Sequence, residues 1–394
     1  MTIDQGLEVG PLADEEVQAF GALIHQALFW PPLEEVDWTL ELGREHIRVL
    51  RQRGRVVAGL AALPMGQWFG GRSVPAAAVT TVGVAPEHRS GGTGSALLAG
   101  VLRELHERGC PLSVLYPSTQ PFYRRAGYEQ AGARIGYRLP THAIDARDRA
   151  LGLREIEPGN HDLVRALYAE RARRTAGHLD RNEWLWNGIL NNPQRKLYGY
   201  LVEGDGDAEG YIVYRQQHQP GALGGEILVR DLVALTSGAA RRLLTFLADH
   251  RSTIESVLWY GAPADPLFTF IANQAHKVEW QMDWLLRIVD VRGALAARGY
   301  PPGAEVEVHL AVRDDLLPAN DGQFVLTVSN GQGEVREGGR GGLRVDVRGL
   351  ATLYSGRLSP EELRATGLLD GEPRDLAAAA LAFAGPAPWM PDMF

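Results

Sequence analysis

Apolar residues along the chain fall into short runs separated by polar or glycine-rich breaks, which predicts many short strands interspersed with amphipathic helices. The clearest case begins with residues 79–84, a β-branched apolar run that favours a strand. Pro86 ends this strand, because proline cannot donate a hydrogen bond to a ladder. A glycine-rich turn at 89–94 follows, and the leucine-rich segment after it predicts a helix. The sequence therefore predicts a strand, a tight turn and a helix N-terminus in succession.

The same pattern places four elements before this unit and one strand after it. We predict a first strand at 7–9, a helix over 15–27, and strands at 47–50 and 56–63. After the leucine-rich helix, the apolar run 112–115 predicts a short buried strand. The first part of the chain therefore combines antiparallel strands with a strand–turn–helix unit.

The strand–turn–helix pattern occurs a second time in the middle of the chain. The apolar run 227–235 precedes a turn at 236–240 and a leucine-rich helix, which makes it an internal repeat of the first unit. The second turn has lost the arginine and the additional glycines of its counterpart. A polar segment at 140–150 predicts the linker between the two repeats.

Alternating strands followed by apolar helices make up the last part of the chain. Strands are predicted at 305–310, 324–328 and 343–347, and an alanine-rich helix at 375–383. Strands and helices segregated in this way indicate an α+β layer. The chain ends on an apolar, proline-containing segment at 388–394. Chain ends commonly fray, but apolar side chains and stiffening prolines favour a docked segment here.

The turn at 89–94 carries the strongest chemical signal. A helix N-terminus offers unpaired N–H groups and the positive end of the helix dipole, and glycines let the backbone close around a phosphate. Arg89 adds a permanent positive charge. The alternative interpretation is an ordinary helix-capping turn with a surface arginine. The spacing matches neither a Rossmann fingerprint nor a Walker loop.

Composition and charge restrict the remaining possibilities. The 394 residues suffice for two or three domains, and a net charge of −8 argues against a nucleic-acid partner. Cys110 is the only cysteine, so it forms no internal disulfide, and we expect a buried structural thiol. No apolar run approaches the roughly 20 residues of a membrane span, and the acidic N-terminus has no signal-peptide core. We expect a cytoplasmic protein with no membrane contact and no metal.

Two motifs carry a family resemblance. The first reads Val82-x-Val84-x-Pro86-x-x-Arg89-x-x-Gly92-x-Gly94, and it resembles the acyl-CoA pyrophosphate loop of the GNAT N-acetyltransferases. The second reads Phe122-Tyr123-x-x-x-Gly127-Tyr128, and it resembles the short helix of the same family that carries a tyrosine toward the thioester sulfur. Taken alone, Tyr123 is better explained as a packing aromatic with a solvated hydroxyl, but the upstream loop favours the catalytic role.

Over essentially its whole length the chain resembles the Eis (enhanced intracellular survival) family of acetyltransferases. The resemblance implies an α+β / α/β fold of tandem GNAT-like domains, with mixed central sheets flanked by helices, followed by a sterol-carrier-protein-like α+β domain. The implied boundaries are 1–145 for the catalytic domain, 146–287 for a degenerate GNAT-like domain and 288–394 for the sterol-carrier-like domain. The implied activity is acetyl-CoA-dependent acetylation of primary amines on aminoglycosides, polyamines or lysine-containing peptides, by direct transfer in a ternary complex. The implied assembly is a homo-hexamer.

The same resemblance assigns roles to individual residues. Phe394 carries the terminal carboxylate, which is the general base in that family, and Tyr123 protonates the departing thiolate. The backbone amide of Val84 polarises the thioester carbonyl. The residues implied to bind acetyl-CoA are Val82, Val84, Arg89, Gly91, Gly92, Thr93, Gly94 and Ser95.

The acceptor side carries a weaker signal. Phe29, Trp30 and Trp38 lie where GNAT domains build the acceptor wall, although a helix with a solvated acidic face fits this segment equally well. Two functions without turnover stay open at this point, namely a lipid- or sterol-binding carrier and an acetyl-CoA-sensing protein. The intact loop argues for catalysis over the carrier.

Overall fold

The computed structural model describes residues 6–29, 42–191, 196–204, 206–218 and 224–394. Thirteen strands of the described part belong to one large sheet: β1 Leu7–Pro11, β2 Ile47–Gln52, β3 Arg55–Phe69, β4 Arg72–Val84, β5 Leu112–Leu115, β6 Glu129–Pro140, β7 Gly152–Glu155, β8 Leu179–Asp180, β9 Tyr198–Glu203, β10 Ala208–His218, β11 Gly225–Ala234, β12 Ile254–Gly261 and β13 Lys277–Ile288. A smaller sheet contains β14 Val306–Arg313, β15 Gly322–Ser329, β16 Gln332–Glu337, β17 Leu343–Asp346 and β18 Leu369–Gly371.

Helices cover the faces of these sheets. Within the described ranges they are α1 Val17–Leu28, α2 Thr93–Glu107, α3 Gln120–Arg124, α4 His161–Arg173, α5 Glu183–Leu190, α6 Ser237–Asp249, α7 Val291–Ala297, α8 Val347–Ser355, α9 Pro360–Ala365 and α10 Pro373–Ala382. Polar side chains cap the N-termini of α5, α6, α8 and α9, and these caps are Asn182, Thr236, Asp346 and Ser359. Helix α2 is different, because its N-cap is Gly92, which has no side chain to offer.

The two GNAT-like halves share one sheet. Its strands run in the order β1-β2-β3-β4-β5-β13-β6-β12-β11-β10-β9-β7, with β8 paired to β3. Strand β13 comes at the end of the second repeat in the sequence, yet it pairs antiparallel with both β5 and β6 of the first repeat. Its second half is fully buried, as expected for a central strand covered on both faces. One strand from the end of the second repeat therefore completes the sheet of the first.

The third part of the chain is tied to this sheet by polar contacts. In the smaller sheet the order is β16-β15-β14-β17-β18, and helix α8 packs against β6. Arg348 of α8 forms a 2.5 Å ion pair with Glu129, which also pairs with Arg124 at 2.7 Å. A fully buried pair, Arg287 with Asp314 at 2.6 Å, joins β13 to the segment after β14. These contacts hold the C-terminal part in a fixed position beside the first GNAT-like domain.

The segment 140–150 leaves β6 at Pro140, and its Thr141 and Ile144 side chains are buried against the second half of the sheet. One local expectation, the buried thiol of Cys110, needs correction. Cys110 is only partly buried, and its thiol donates to the carbonyl of Leu112 at 3.4 Å. Burial raises the pKa of the Cys110 thiol, which keeps it in its unreactive form. None of the described helices is long and apolar enough to cross a membrane.

Candidate active site

A cleft opens where β4 and β5 separate. The two strands pair in parallel only where residues 76–78 face residues 112–114. Beyond this point β4 carries an irregularity in its pairing with β3, and Thr81 takes a left-handed backbone with φ of +52°. A bulge of this kind bends a strand and re-aims its neighbours. The last residues of β4 therefore leave β5 and form one wall of a cleft.

Val84 directs its peptide groups into this cleft. The N–H of Ala85 donates to the carbonyl of Val57 at 2.9 Å, so Ala85 faces β3. Because adjacent residues of a strand alternate in direction, Val84 faces the opposite side, where β5 has left. The carbonyl of Val84 indeed accepts from Nε of Arg89, at 3.3 Å, on that side. The backbone N–H of Val84 is therefore placed as a donor into the cleft.

The glycine-rich turn lies at the mouth of the cleft. Ser90 and Gly92 have φ of +62° and +87°, which curls the backbone before α2 begins. A Cβ on Gly94 would lie 3.2 Å from a methyl carbon of Val84, so glycine lets the helix start pack closely on β4. Gly91, Gly92 and Ser95 are exposed, Gly94 is half-buried and Thr93 is buried. The first turn of α2 thus offers uncapped amides beside the end of β4.

Arg89 is exposed beside this turn. Its guanidinium also donates to the carbonyl of Ala27 near the end of α1, at 3.3 Å. Both of its contacts are long and go to neutral carbonyls. The positive charge of Arg89 therefore has no carboxylate partner among the described residues, which fits a role toward an anion.

The corresponding helix start in the second repeat is occupied by the protein itself. The hydroxyl of Thr236 accepts from the N–H of Ala239 at 3.1 Å and donates to the carboxylate of Glu209. An internal carboxylate thus lies at the N-terminus of α6, where the first repeat offers free amides. Strands β11 and β12 also separate, after Leu228, so the cleft geometry persists although its anion site is filled.

Tyr123 lies on α3, just after β5. Its side chain is buried, and its ring contacts those of Phe122 and Tyr128 edge-on, with centroids 4.8 and 6.0 Å away. Burial raises the pKa of Tyr123 to about 12, against the opposing effect of a hydrogen bond with Ser118. The hydroxyl is therefore protonated at neutral pH and can donate a proton.

The C-terminal segment is docked rather than frayed. Trp389 forms a parallel bridge with Ala133 of β6, where the N–H of Ala133 donates to Pro388 and that of Met390 donates to Ala133. The N–H of Trp389 donates to the carbonyl of Ala176 at 3.0 Å. A Cβ on Gly132 would lie 2.8 Å from the carbonyl oxygen of Pro388, so the segment approaches β6 closely. The final residues thus run over the middle of the large sheet.

Phe394 ends beside the second wall of the cleft. Its ring lies 5.4 Å from that of Tyr116, the residue that directly follows β5. The hydroxyl of Tyr116 donates to the carbonyl of Asp392 at 2.8 Å, and Nε of Arg134 donates to that of Pro391 at 2.7 Å. Phe394 is half-buried and Met393 is exposed. The chain terminus is therefore held at the C-terminal end of β5.

The structure gives less information about the predicted acceptor residues. Phe29 follows the end of α1 in a left-handed conformation, and its side chain is 96% exposed. Trp30 and Trp38 lie outside the described residues. Val82 is half-buried in β4, directly after Thr81.

Sequence reasoning missed the groups that hold the tail. Asp392 is buried, although it sits among the last three residues, and its carboxylate contacts Arg181 and Tyr168 of the second GNAT-like domain. A lone acid between Pro391 and Met393 in an otherwise apolar tail was the available signal. Its partners could not be identified, because Arg181 is 211 residues away.

Comparison with known proteins agrees with this architecture. Residues 8–131 and 177–288 each match an acetyltransferase (GNAT) domain, and residues 291–391 match a sterol carrier protein domain. An uncharacterized N-acetyltransferase of Streptomyces avermitilis is 30% identical over 82% of this chain and 83% of its own length. A GCN5-related N-acetyltransferase of Anabaena variabilis, solved by crystallography, is 39% identical with a TM-score of 0.95, covering 98% of this chain and 100% of the other. Eis1 of Mycobacterium abscessus is 27% identical with a TM-score of 0.82, over 98% and 100%.

The chain belongs to the GNAT N-acetyltransferases. Within them it has the arrangement of Eis, two GNAT domains followed by a sterol-carrier domain, which confirms the resemblance and the fold class predicted from the sequence. The protein is therefore an acetyltransferase, and the GNAT fold implies acetyl-CoA as its cosubstrate.

Proposed function

We propose that this enzyme acetylates primary amines of aminoglycosides, polyamines or lysine side chains, by direct transfer within a ternary complex, with its own terminal carboxylate as general base. The observation that carries the proposal is the docked tail, which ends beside Tyr116 at the end of β5. In the reaction a C–N bond forms and the C–S bond of the thioester breaks. The substrate ammonium loses two protons, one to the terminal carboxylate before attack and one as the amide forms, the thiolate takes up one, and the other is released to solvent.

The first GNAT-like domain supplies the binding groups. The uncapped amides from Gly92 to Ser95, together with Arg89, would hold the pyrophosphate of acetyl-CoA. The N–H of Val84 would donate to the thioester oxygen, which gains negative charge as the amine attacks. Val82 would pair with the pantetheine arm along the free edge of β4. Bound acetyl-CoA contributes the activated acetyl group, and these residues orient it.

Two proton carriers complete the site. The terminal carboxylate of Phe394 has an ordinary pKa of roughly 3.5 and is ionised at pH 7. It can attract the ammonium form of the substrate and accept its proton directly or through water. The hydroxyl of Tyr123, kept protonated by its raised pKa of about 12, can donate to the departing thiolate. The acceptor wall would include Phe29, Trp30 and Trp38.

The second GNAT-like domain binds no acetyl-CoA in this proposal, because Glu209 and Thr236 occupy the start of α6. The third domain delivers the tail. A homo-hexamer is the proposed assembly, on the resemblance to Eis alone.

Thiol release from acetyl-CoA across aminoglycosides, polyamines and lysine peptides tests the proposal. We would assay the intact chain beside a chain lacking Met393 and Phe394, and beside Phe394→Ala, which keeps a terminal carboxylate in place. We expect the truncated chain to lose roughly 10²–10⁴ in rate while it still binds acetyl-CoA, and Phe394→Ala to keep most of its rate. Full turnover after truncation would place the base elsewhere. Acetyl-CoA binding without turnover on any amine would instead identify a sensor.

A further inference from the structure

A buried cluster of charges lies where the C-terminal tail meets the second GNAT-like domain. Arg181, between β8 and α5, has a fully buried side chain. Its Nη1 lies 2.5 Å from Asp231 of β11, and its Nε lies 2.9 Å from Asp392 of the tail. One guanidinium therefore holds two carboxylates, of which one belongs to its own domain and the other to the chain terminus.

Tyrosines complete the cluster. The hydroxyl of Tyr211 donates to Asp231 at 2.6 Å, and that of Tyr168 contacts Asp392 at 3.3 Å. The guanidinium of Arg181 also lies 3.6 Å from the ring centre of Tyr168. Both residues that hydrogen-bond the Asp392 carboxylate in the described part of the chain, Arg181 and Tyr168, thus come from the second GNAT-like domain.

The cluster lies very close to the proposed base. Only Met393 and Phe394 follow Asp392, and each residue spans at most about 3.6 Å of extended chain. Tyr116 and Arg134 fix the neighbouring backbone carbonyls from the first domain. The side chain of Asp392 supplies the remaining anchor, so Met393 and Phe394 have little conformational freedom.

We propose that Arg181 and Asp392 are positioning residues, which hold the last two residues so that the terminal carboxylate stays in the catalytic cleft. This inference rests on the proposed function. It gives the second GNAT-like domain, whose anion site is occupied by Glu209, a part in the reaction: it anchors the tail that carries the base. Neither residue needs to touch the substrate.

Asp392→Ala is the most informative variant. Removing Arg181 would leave two buried carboxylates facing each other, and such a chain could fail to fold. Removing Asp392 leaves Arg181 paired with Asp231 at 2.5 Å, so the buried guanidinium keeps one carboxylate partner. We expect Asp392→Ala to lower kcat for thiol release by up to about 10²-fold, which is the loss that a misplacement of roughly 1 Å can cause. The KM for acetyl-CoA should not change.

Two further readouts separate positioning from general damage. Carboxypeptidase A should release Phe394 much faster from Asp392→Ala than from the unmodified enzyme, because the tail has lost its side-chain anchor nearest the terminus. In the chain that lacks Met393 and Phe394, Asp392→Ala should cause no additional loss of turnover. A residue that acts only through the terminal carboxylate has nothing left to position there.

Glu226→Ala is the matched control. It removes a similarly buried carboxylate from an arginine, Arg138, which keeps Glu279 at 2.9 Å just as Arg181 keeps Asp231, and the partners of Glu226 in the described residues are Arg138 and Ser256 rather than the tail. We expect it to lower thermal stability at least as much as Asp392→Ala while keeping Phe394 protected from the carboxypeptidase.

Three results would contradict the proposal that Arg181 and Asp392 anchor the tail. These are an unchanged kcat in Asp392→Ala, unchanged release of Phe394, or an equal loss of kcat and of protection in Glu226→Ala. If truncation abolishes turnover but Asp392→Ala does not affect it, the terminal carboxylate stands as the base and only the positioning role of Asp392 is wrong. If removing Met393 and Phe394 does not change turnover, the terminal carboxylate is not the base, and Asp392 has no base to position.

Discussion

The hydroxyl of Tyr116 donates a 2.8 Å hydrogen bond to the backbone carbonyl of Asp392, and the ring of the same tyrosine packs 5.4 Å from that of Phe394. Burial raises the pKa of Tyr116 far above its ordinary value, so the hydroxyl stays a donor. A residue at the end of a first-domain strand thus binds the end of the third domain. The proposed site is therefore assembled from distant parts of one chain.

Tyr123→Phe should lower kcat by roughly 10²–10⁴ and leave the KM for acetyl-CoA nearly unchanged, because only the proton donor is lost. Tyr128→Phe is the control, since Tyr128 is also buried and its hydroxyl bonds Ser113 at 2.7 Å. Steady-state thiol release would measure both. Near-normal kcat in Tyr123→Phe would refute its role as the acid.

Arg89→Ala should raise the KM for acetyl-CoA by about 10-fold or more, because hydrogen bonds to charged groups contribute roughly 1.5–3 kcal/mol. With acetyl-pantetheine, which lacks the pyrophosphate, the same variant should behave like the unmodified enzyme. Arg125→Ala, at an exposed position on the end of α3, is the matched control. Equal effects on both acyl donors would show that Arg89 does not bind the pyrophosphate.

Acid should weaken the contact between the first and third domains through Glu129. Burial alone would raise the pKa of this carboxyl, but hydrogen bonds from Arg124 and Arg348 outweigh it and hold the pKa below the ordinary value. A lowered carboxyl pKa stabilises the fold above the ordinary pKa and loses that contribution as pH falls through the folded value. The free energy of unfolding, from urea titrations between pH 6 and 3 (about the range over which carboxyls titrate), should fall more steeply for the unmodified chain than for Glu129→Gln. Parallel curves would contradict this.

Gly132→Ala should displace the tail. An added Cβ would lie 2.2 Å from the ring of Trp284 and 2.8 Å from the carbonyl of Pro388. Overpacking of this kind costs about 1–3 kcal/mol, and we expect a lower melting temperature together with lower turnover. Gly188→Ala in α5, where a Cβ meets nothing within 4 Å, should be neutral or slightly stabilising. An unchanged melting temperature in Gly132→Ala would show that the sheet accommodates the methyl group.

The parts of the site formed by neighbouring residues could be predicted from the sequence. The run 79–84, Pro86 and the glycines before α2 determine a strand, a break and an uncapped helix start through local backbone preferences. The loss of those glycines in the second repeat was visible in the same way, because it is a matter of residue type at fixed spacing. The carboxylate of Glu209 at the start of α6 was not visible, since it comes from another strand.

The remaining parts depend on contacts between residues far apart in the chain. Strand β13 enters the sheet between β5 and β6, although its apolar pattern fits either repeat. Asp392 meets Arg181 across a sequence separation of 211 residues, and no local periodicity encodes that distance. The sequence by itself determined the elements, the glycine-rich turn before α2 and the apolar character of the tail, because these follow from short-range sterics and hydrophobic periodicity. Only the tertiary structure decided where the tail docks and which charge holds it, because burial makes a carboxylate depend on whichever cation the fold brings beside it.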